Sequence, residues 1–311
     1  RNRIRVMYLT DKPAAHWSYV FFRCVGVRRI VVHDHTPGVR TTPKGVKRVL
    51  KRLLNLIPGF VADCCIGASE FVRDRFVQVR LLDRSRCHTV ANGIPLEMPL
   101  PESIHEAFSI DHGKQVIVTA ARAHPYKGGS FALEVLAVVA ERIGREGWHY
   151  VYFGDGPGRE DLIRQADRLG LADNVSFPGR VEGVVRFFPS ASFAFHPSQG
   201  EVGYSLAILE YMLAELPVVV PDNPSVCGAT VHEKTGYIYP EGDVVLAAQR
   251  VIACLEAPEK IADAGRTAAQ TVKQHYSLDE AHQSLVKVFD QTLGIRQAMT
   301  APQGEPYQRV K

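Results

Sequence analysis

The chain has 311 residues, 46% hydrophobic and 23% charged, with a formal net charge of +4. That composition suits a globular chain of about two domains, and no apolar run approaches the roughly 20 residues of a membrane-spanning helix. The charge is uneven: residues 1–110 carry 18 Lys/Arg against 9 Asp/Glu, net +9, and the remainder 19 against 24, net −5. The first part is therefore expected to meet phosphate or an anionic membrane surface. Nucleic acid is disfavoured, because no binding motif or interleaved aromatics accompany the charge. Six cysteines without a C-x-x-C pair read as reduced thiols of a cytoplasmic protein, with no zinc-site spacing. No signal peptide is evident, and a start on Arg1 suggests that sequence precedes it.

In chain order, strands are predicted at Ile4–Leu9, Arg29–His33, Val116–Ala120, Tyr150–Phe153, Phe193–His196 and Val218–Pro221. Helices are predicted at Ser130–Ile143, Arg159–Leu169 and Leu206–Leu213. This alternation predicts parallel βαβ units and Rossmann-like domains. Pro95, Pro99 and Pro101 mark a boundary, giving domains at 1–106 and 107–284, with a helix at about 285–300 packing back on the first. A polar tail follows from Ala301. The first domain is strand-poor and has no glycine-rich βα turn before residue 90, so it reads as lacking its opening units.

The segment Lys44–Leu54 places cations at i, i+3, i+4, i+7 and i+8, with Val46, Val49, Leu50 and Leu53 on another face. Two readings stand: a solvated basic face over a core stripe, or a helix that docks on anionic lipid.

Several segments could hold a phosphorylated ligand. Arg122 follows a strand, and Lys127 precedes Gly128-Gly129 and a helix near Ser130. Two cations beside a helix N-terminus suit a diphosphate, while a solvated basic turn is the plainer reading. Asp155-Gly156-Pro157-Gly158 is a strand-to-helix turn, either only that or part of a ligand rim. Ser205 is a natural N-cap, and Gly203 and Ser205 are expected to offer free amides there. Glu210, just over a turn later among apolar neighbours, could accept both hydroxyls of a ribose or be a solvated helix residue.

Together these segments resemble glycosyltransferase family 4, the retaining GT-B enzymes. The resemblance runs through Ala121-Arg122 to Lys127-Gly128, Gly154-Asp155-Gly156-Pro157, Phe177-Pro178-Gly179 and Pro197-Ser198. It continues through Gly203-Tyr204-Ser205-Leu206, Leu209-Glu210 and Leu216-Pro217-Val218-Val219, and upstream includes Ser69 and Asn92-Gly93-Ile94. It implies an α/β GT-B fold, two Rossmann-like domains facing a cleft. It also implies transfer of a sugar from a nucleotide-diphosphate sugar to a carbohydrate or lipid-linked acceptor, in polysaccharide or glycolipid assembly. Arg122 and Lys127 would contact the diphosphate, Glu210 the ribose, and Arg180 or Val181 the base. Gly154 would lie on the donor rim, and the Gly203–Leu206 segment, Tyr204 included, would face the phosphates. The first Glu of the family's E-x(7)-E pair falls here one place early, at Glu201: either a bulge keeps it on the sugar, or the contact is lost. His33, after a strand, would orient the donor sugar, with His35 as the alternative. No D-x-D triplet occurs, so neither a metal nor any other cofactor is expected. The competing readings are a nucleotide-sugar 2-epimerase of the same fold and an inactive or truncated nucleotide-sugar-binding module.

Overall fold

The computed structural model describes residues 4–293. Its first sheet is parallel and ordered β1 (Val6–Thr10), β2 (Arg29–Asp34), β3 (Cys64–Gly67), β4 (Cys87–Thr89). Helices α1 (Trp17–Cys24), α2 (Gly45–Asn55) and α3 (Glu70–Gln78) connect these strands. After the short α4 (Ile104–Ala107) comes a second parallel sheet. It contains β5 (Gln115–Ala120), β6 (Trp148–Phe153), β7 (Val175–Gly179), β8 (Phe193–Phe195), β9 (Val218–Pro221) and β10 (Gly236–Tyr239). Its spatial order is β10-β9-β8-β5-β6-β7. That is the doubly wound order, and the winding reverses between β5 and β8, where such sheets open a crevice for ligands.

Both faces of the second sheet are covered. α5 (Gly129–Ile143), α6 (Arg159–Arg168) and α8 (Val244–Glu256) pack on one face around Leu136, Tyr150 and Phe195. α7 (Leu206–Leu213) and α9 (Pro258–His275) pack on the other around Val118, Met212 and Val220. Burial on two sides explains the continuous apolar strands such as Val218–Pro221.

The first domain is not strand-poor. Cys64–Gly67 and Cys87–Thr89 complete a four-stranded sheet, and the first of these is buried at every position. A strand so short and buried on both faces has no period-two pattern to read. Its two faces are covered by α1 with α3, around Tyr19 and Phe76, and by α10 (Leu278–Leu293), through Val288 against Val31, Cys64 and Ile66. This returning helix begins at Leu278 rather than near 285; the remainder of the expected helix, 294–300, and the tail lie outside the described residues. The two chain crossings lie side by side, with Ile94 N donating to Tyr276 O (2.8 Å) and Leu278 N to Ile94 O (3.1 Å).

α2 does not lay its apolar stripe on the core. Val46, Val49, Leu50 and Leu53 are all exposed, and no residue of the helix is buried. The helix is held by its other side, with Lys51 Nζ donating to Val79 O (2.9 Å) and Asn55 Nδ2 to Arg80 O (2.9 Å). No helix among the described residues is long and apolar enough to cross a membrane.

Candidate active site at the switch point

The loops after β5 and β8, on either side of the reversal, carry the strongest candidates. The β5 loop is clamped from both sides. Ala121 N donates to Phe153 O and Ala123 N to Asp155 O, both 2.9 Å, which lays Arg122 on the turn after β6. That turn is pinned in its own right by Gly154 N donating to Gly179 O (2.8 Å). On the other side Gln199 N donates to Tyr126 O (2.8 Å). There Gly128, at φ 75°, lies so near the β8 loop that a Cβ would stand 2.0 Å from Pro197 O. Only glycine fits that backbone. Arg122 is left exposed, with its Nη2 donating to Tyr126 Oη (2.8 Å) and no carboxylate partner among the described residues.

Lys127 is paired. Its Nζ lies 2.5 Å from Glu201 Oε1, with both side chains largely buried. His196, fully buried just past β8, brings Nε2 to 3.4 Å from the same oxygen and 3.2 Å from Ser205 Oγ. Burial pushes the Glu201 carboxyl up, but His196 and then Lys127 outweigh it and hold it at about 2. The early placement of Glu201 therefore leaves its carboxylate beside the expected diphosphate lysine. His196 was not singled out from the sequence. The signal was there: a polar residue ending an otherwise apolar, fully buried strand.

The next residues correct two expectations. Gly203 does not offer a free amide, since its N donates to Ser225 O (2.8 Å). Its φ of 112° and its closeness to Ser69, whose Oγ a Cβ would approach to 2.4 Å, make it a contact between domains. Tyr204 does not turn its side chain to the donor rim; it is buried, and its hydroxyl donates to Asn92 O (3.1 Å). Ser69 Oγ donates to Val202 O, closing the same seam.

α7 then starts with Ser205 as N-cap, its Oγ accepting from Ile208 N (3.3 Å). The amides of Ser205 and Leu206 have no acceptor among the described residues, and Leu206 is exposed. Glu210 is half-buried and its carboxylate has no partner among the described residues; burial raises its pKa. Arg180 is exposed and Val181 half-buried, directly past β7 and so next along the rim from Gly154.

On the facing domain, His33 lies within β2, paired in register with Thr10 and Ile66, rather than just after the strand. It is buried, with Nδ1 2.5 Å from Tyr8 Oη and Nε2 without a partner among the described residues. Burial and then His35, against Asp11 and Asp34, lower its pKa to about 4, so the ring is neutral at pH 7. His35 lies against it, with centroids 4.1 Å apart and the rings tilted by 36°, and is more exposed. Arg75 is a second residue the sequence reading passed over. It is 7% exposed and clamps the loop after β2 through Asp34 Oδ2 (3.0 Å), Thr36 O (2.8 Å) and Gly38 O (2.9 Å). Gly38 N in turn donates to Glu201 O (2.9 Å), tying that loop to the switch-point site. A lone Arg among apolar helix positions Val72 and Phe76 is the signal that marks it. Among the described residues, no three His, Cys, Asp or Glu side chains come together as metal ligands.

Residues 102–271 match the family described as Glycosyl transferases group 1, and the chain belongs to that family. The chain is 28% identical over 131 residues to an uncharacterised glycosyltransferase of Haemophilus influenzae, covering 42% of this chain and 36% of the relative. It is 24% identical over 218 residues to the alpha-monoglucosyldiacylglycerol synthase of Streptococcus pneumoniae, covering 67% and 47%. The chain spans about half the length of the curated relatives it matches. Among solved structures, Anabaena HepE in complex with UDP superposes with a TM-score of 0.73 at 19% identity, over 88% of this chain and 74% of that one. The two parallel sheets thus form a GT-B fold.

Proposed function

We propose that this chain is a glycosyltransferase that moves a sugar from a nucleoside-diphosphate donor to an acceptor hydroxyl with retention of configuration. The observation that carries this is the convergence of Arg122, Lys127 and the α7 N-terminus at the switch point, with Glu210, unpartnered among the described residues, one turn away. Family membership and the UDP held by the HepE structure support the donor class.

In this reading the sugar–phosphate bond breaks as the acceptor oxygen bonds the same carbon, and the acceptor proton passes to the departing phosphate. Arg122, Lys127 and the amides of Ser205 and Leu206 stabilise the charge that develops on the diphosphate. Glu210 takes the ribose hydroxyls, and the backbone at Arg180 and Val181 meets the base. Lys127 must turn from Glu201 to the phosphates, and His196 then keeps Glu201 paired beside the sugar. His33, neutral, orients the sugar from the facing domain. No step calls for a metal.

We further propose that the enzyme works at an anionic membrane face, in the cytoplasm, on a carbohydrate or lipid-linked acceptor. Exposed Val46, Val49, Leu50 and Leu53 beside Lys47, Arg48 and Arg52 support docking through α2.

The test is a thermal-shift panel of UDP, GDP, ADP and their sugars on this chain and on an Arg122→Ala, Lys127→Ala variant. A nucleotide at 100 times its Kd adds about 2.7 kcal/mol. Stabilisation by one base, lost in the variant, is expected. No shift with any nucleotide would replace this reading with an inactive or truncated module.

A further inference from the structure

A second cationic cavity lies away from the donor residues. Lys12, Arg40, Arg75 and Arg80 line a space of about 340 Å³ at the C-terminal ends of β1 and β2, walled by the 34–41 loop and by α3. Of its carboxylates, Asp34 is engaged through both oxygens and Asp11 through Oδ1. Asp34 accepts from Thr36 N (2.8 Å) and Thr36 Oγ1 (2.6 Å) through Oδ1, and from Arg75 through Oδ2. Asp11 Oδ1 accepts from His35 N (2.7 Å) and lies 3.6 Å from His35 Nδ1. Lys12, Arg40 and Arg80 are exposed, and their side chains have no hydrogen-bond or ion-pair partner among the described residues.

Their charges act on one another. Burial lowers the Arg75 pKa; Asp34 opposes that, and Arg40 and Arg80 push it down again. Arg75 is thus paired with Asp34, while Lys12, Arg40 and Arg80 bring three further positive charges to the same cavity with no carboxylate paired to them among the described residues. Guanidinium groups pair two-pronged with phosphate oxygens, and the cavity has room for a phosphate or diphosphate.

The position gives this charge a use. Arg40, Arg75 and Val79 also line a wider cavity of about 700 Å³ that reaches Gly203 and Tyr204 on the donor-binding domain. On the other side, the Val79 and Arg80 carbonyls anchor α2 through Lys51 and Asn55. The cavity therefore lies between the exposed apolar helix and the cleft.

We propose that this cavity binds the phosphate or diphosphate group of a phosphorylated acceptor. The word acceptor rests on the glycosyltransferase reading; the anion site does not. A lipid headgroup and a free ester both carry such a phosphate, and experiment separates the two.

Calorimetry with glycerol 1-phosphate is run on the chain, on an Arg40→Ala, Arg80→Ala variant, and on Arg122→Ala, which weakens only the donor site. Expected is at least a tenfold loss of affinity in the double variant and retention in Arg122→Ala. Equal affinity in the double variant, no binding to the unsubstituted chain, or complete loss in Arg122→Ala would overturn the site. The same proteins are then floated with phosphatidylcholine vesicles containing phosphatidic acid. Binding of the free ester with no Arg40/Arg80-dependent vesicle binding supports the site and assigns a soluble phosphate. Vesicle binding that depends on Arg40 and Arg80 supports it and assigns a lipid headgroup. The nucleotide panel on the double variant reads the donor half separately: phosphate binding without any nucleotide shift would sink the donor reading and leave this one standing.

Discussion

The rim of the second sheet and the basic face of the first both gather cations, but they treat them differently. At the rim, Lys127 is held by Glu201, which His196 meets as well, and the loops around it are bonded to one another through Phe153, Asp155 and Tyr126. On the first domain, the side chains of Lys12, Arg40 and Arg80 have no partner among the described residues, and α2 exposes its apolar stripe. The rim braces its lysine and its loops from within while Arg122, Glu210 and the first amides of α7 stay without such partners among the described residues, an arrangement suited to stabilising developing charge. The basic face is left unsatisfied and suits partners that come from outside, phosphate and lipid.

The largest expected effect is on the rim. Removing Lys127 strands a buried carboxylate, so Lys127→Ala should cost about 3 kcal/mol in urea unfolding at pH 7, and Lys127→Ala with Glu201→Gln much less. Equal losses would mean that the pair is not what organises the loop. The same carboxylate gives a pH signature. Its folded pKa of about 2 lies below its unfolded value, so its contribution is present above about 4.5 and disappears as pH falls toward 2. Unfolding at pH 3 and 5 should show a smaller acid loss in Glu201→Gln.

Next is Gly128→Ala, at a left-handed position against the Pro197 carbonyl. It should cost about 2 kcal/mol and weaken nucleotide binding with it. A neutral result would show that the clamp between the β5 and β8 loops can yield.

Smaller and opposite in sign is Glu210→Gln. Burial raises this carboxyl, so the folded state holds its proton longer and stability falls as pH rises through the raised value. The variant should be more stable than the parent at pH 7 in a melt, yet bind nucleotide about tenfold less well. Gain of both would exclude Glu210 from the site.

The smallest change in stability sharpens the other half of the comparison. Val49→Ser with Leu53→Ser should shift stability by less than about 0.5 kcal/mol, because both residues are exposed, while sharply reducing flotation with anionic vesicles. A marked loss of stability instead would show that α2 packs on the protein after all.

Much of the second domain was legible in the sequence. Continuous apolar strands, the Ser205 cap and ordered glycines announce their own backbone geometry, and β9 and α7 have the predicted bounds. Arg122, Lys127 and Glu210 could be named because each lies at a fixed offset from a strand or cap. What the sequence could not convey depends on distant segments meeting. Cys64–Gly67 is a strand because it is buried between helices on both faces, not because of any alternation. Glu201 faces Lys127, 74 residues away, and Gly203 gives its amide to Ser225 and its open side to Ser69. His196 and Arg75 matter through partners on other elements. Local spacing sets which atoms can be near one another along the chain. Only the packing of the two sheets decides which charges are paired and buried, and which, on α2 and around Arg40, remain open to a ligand.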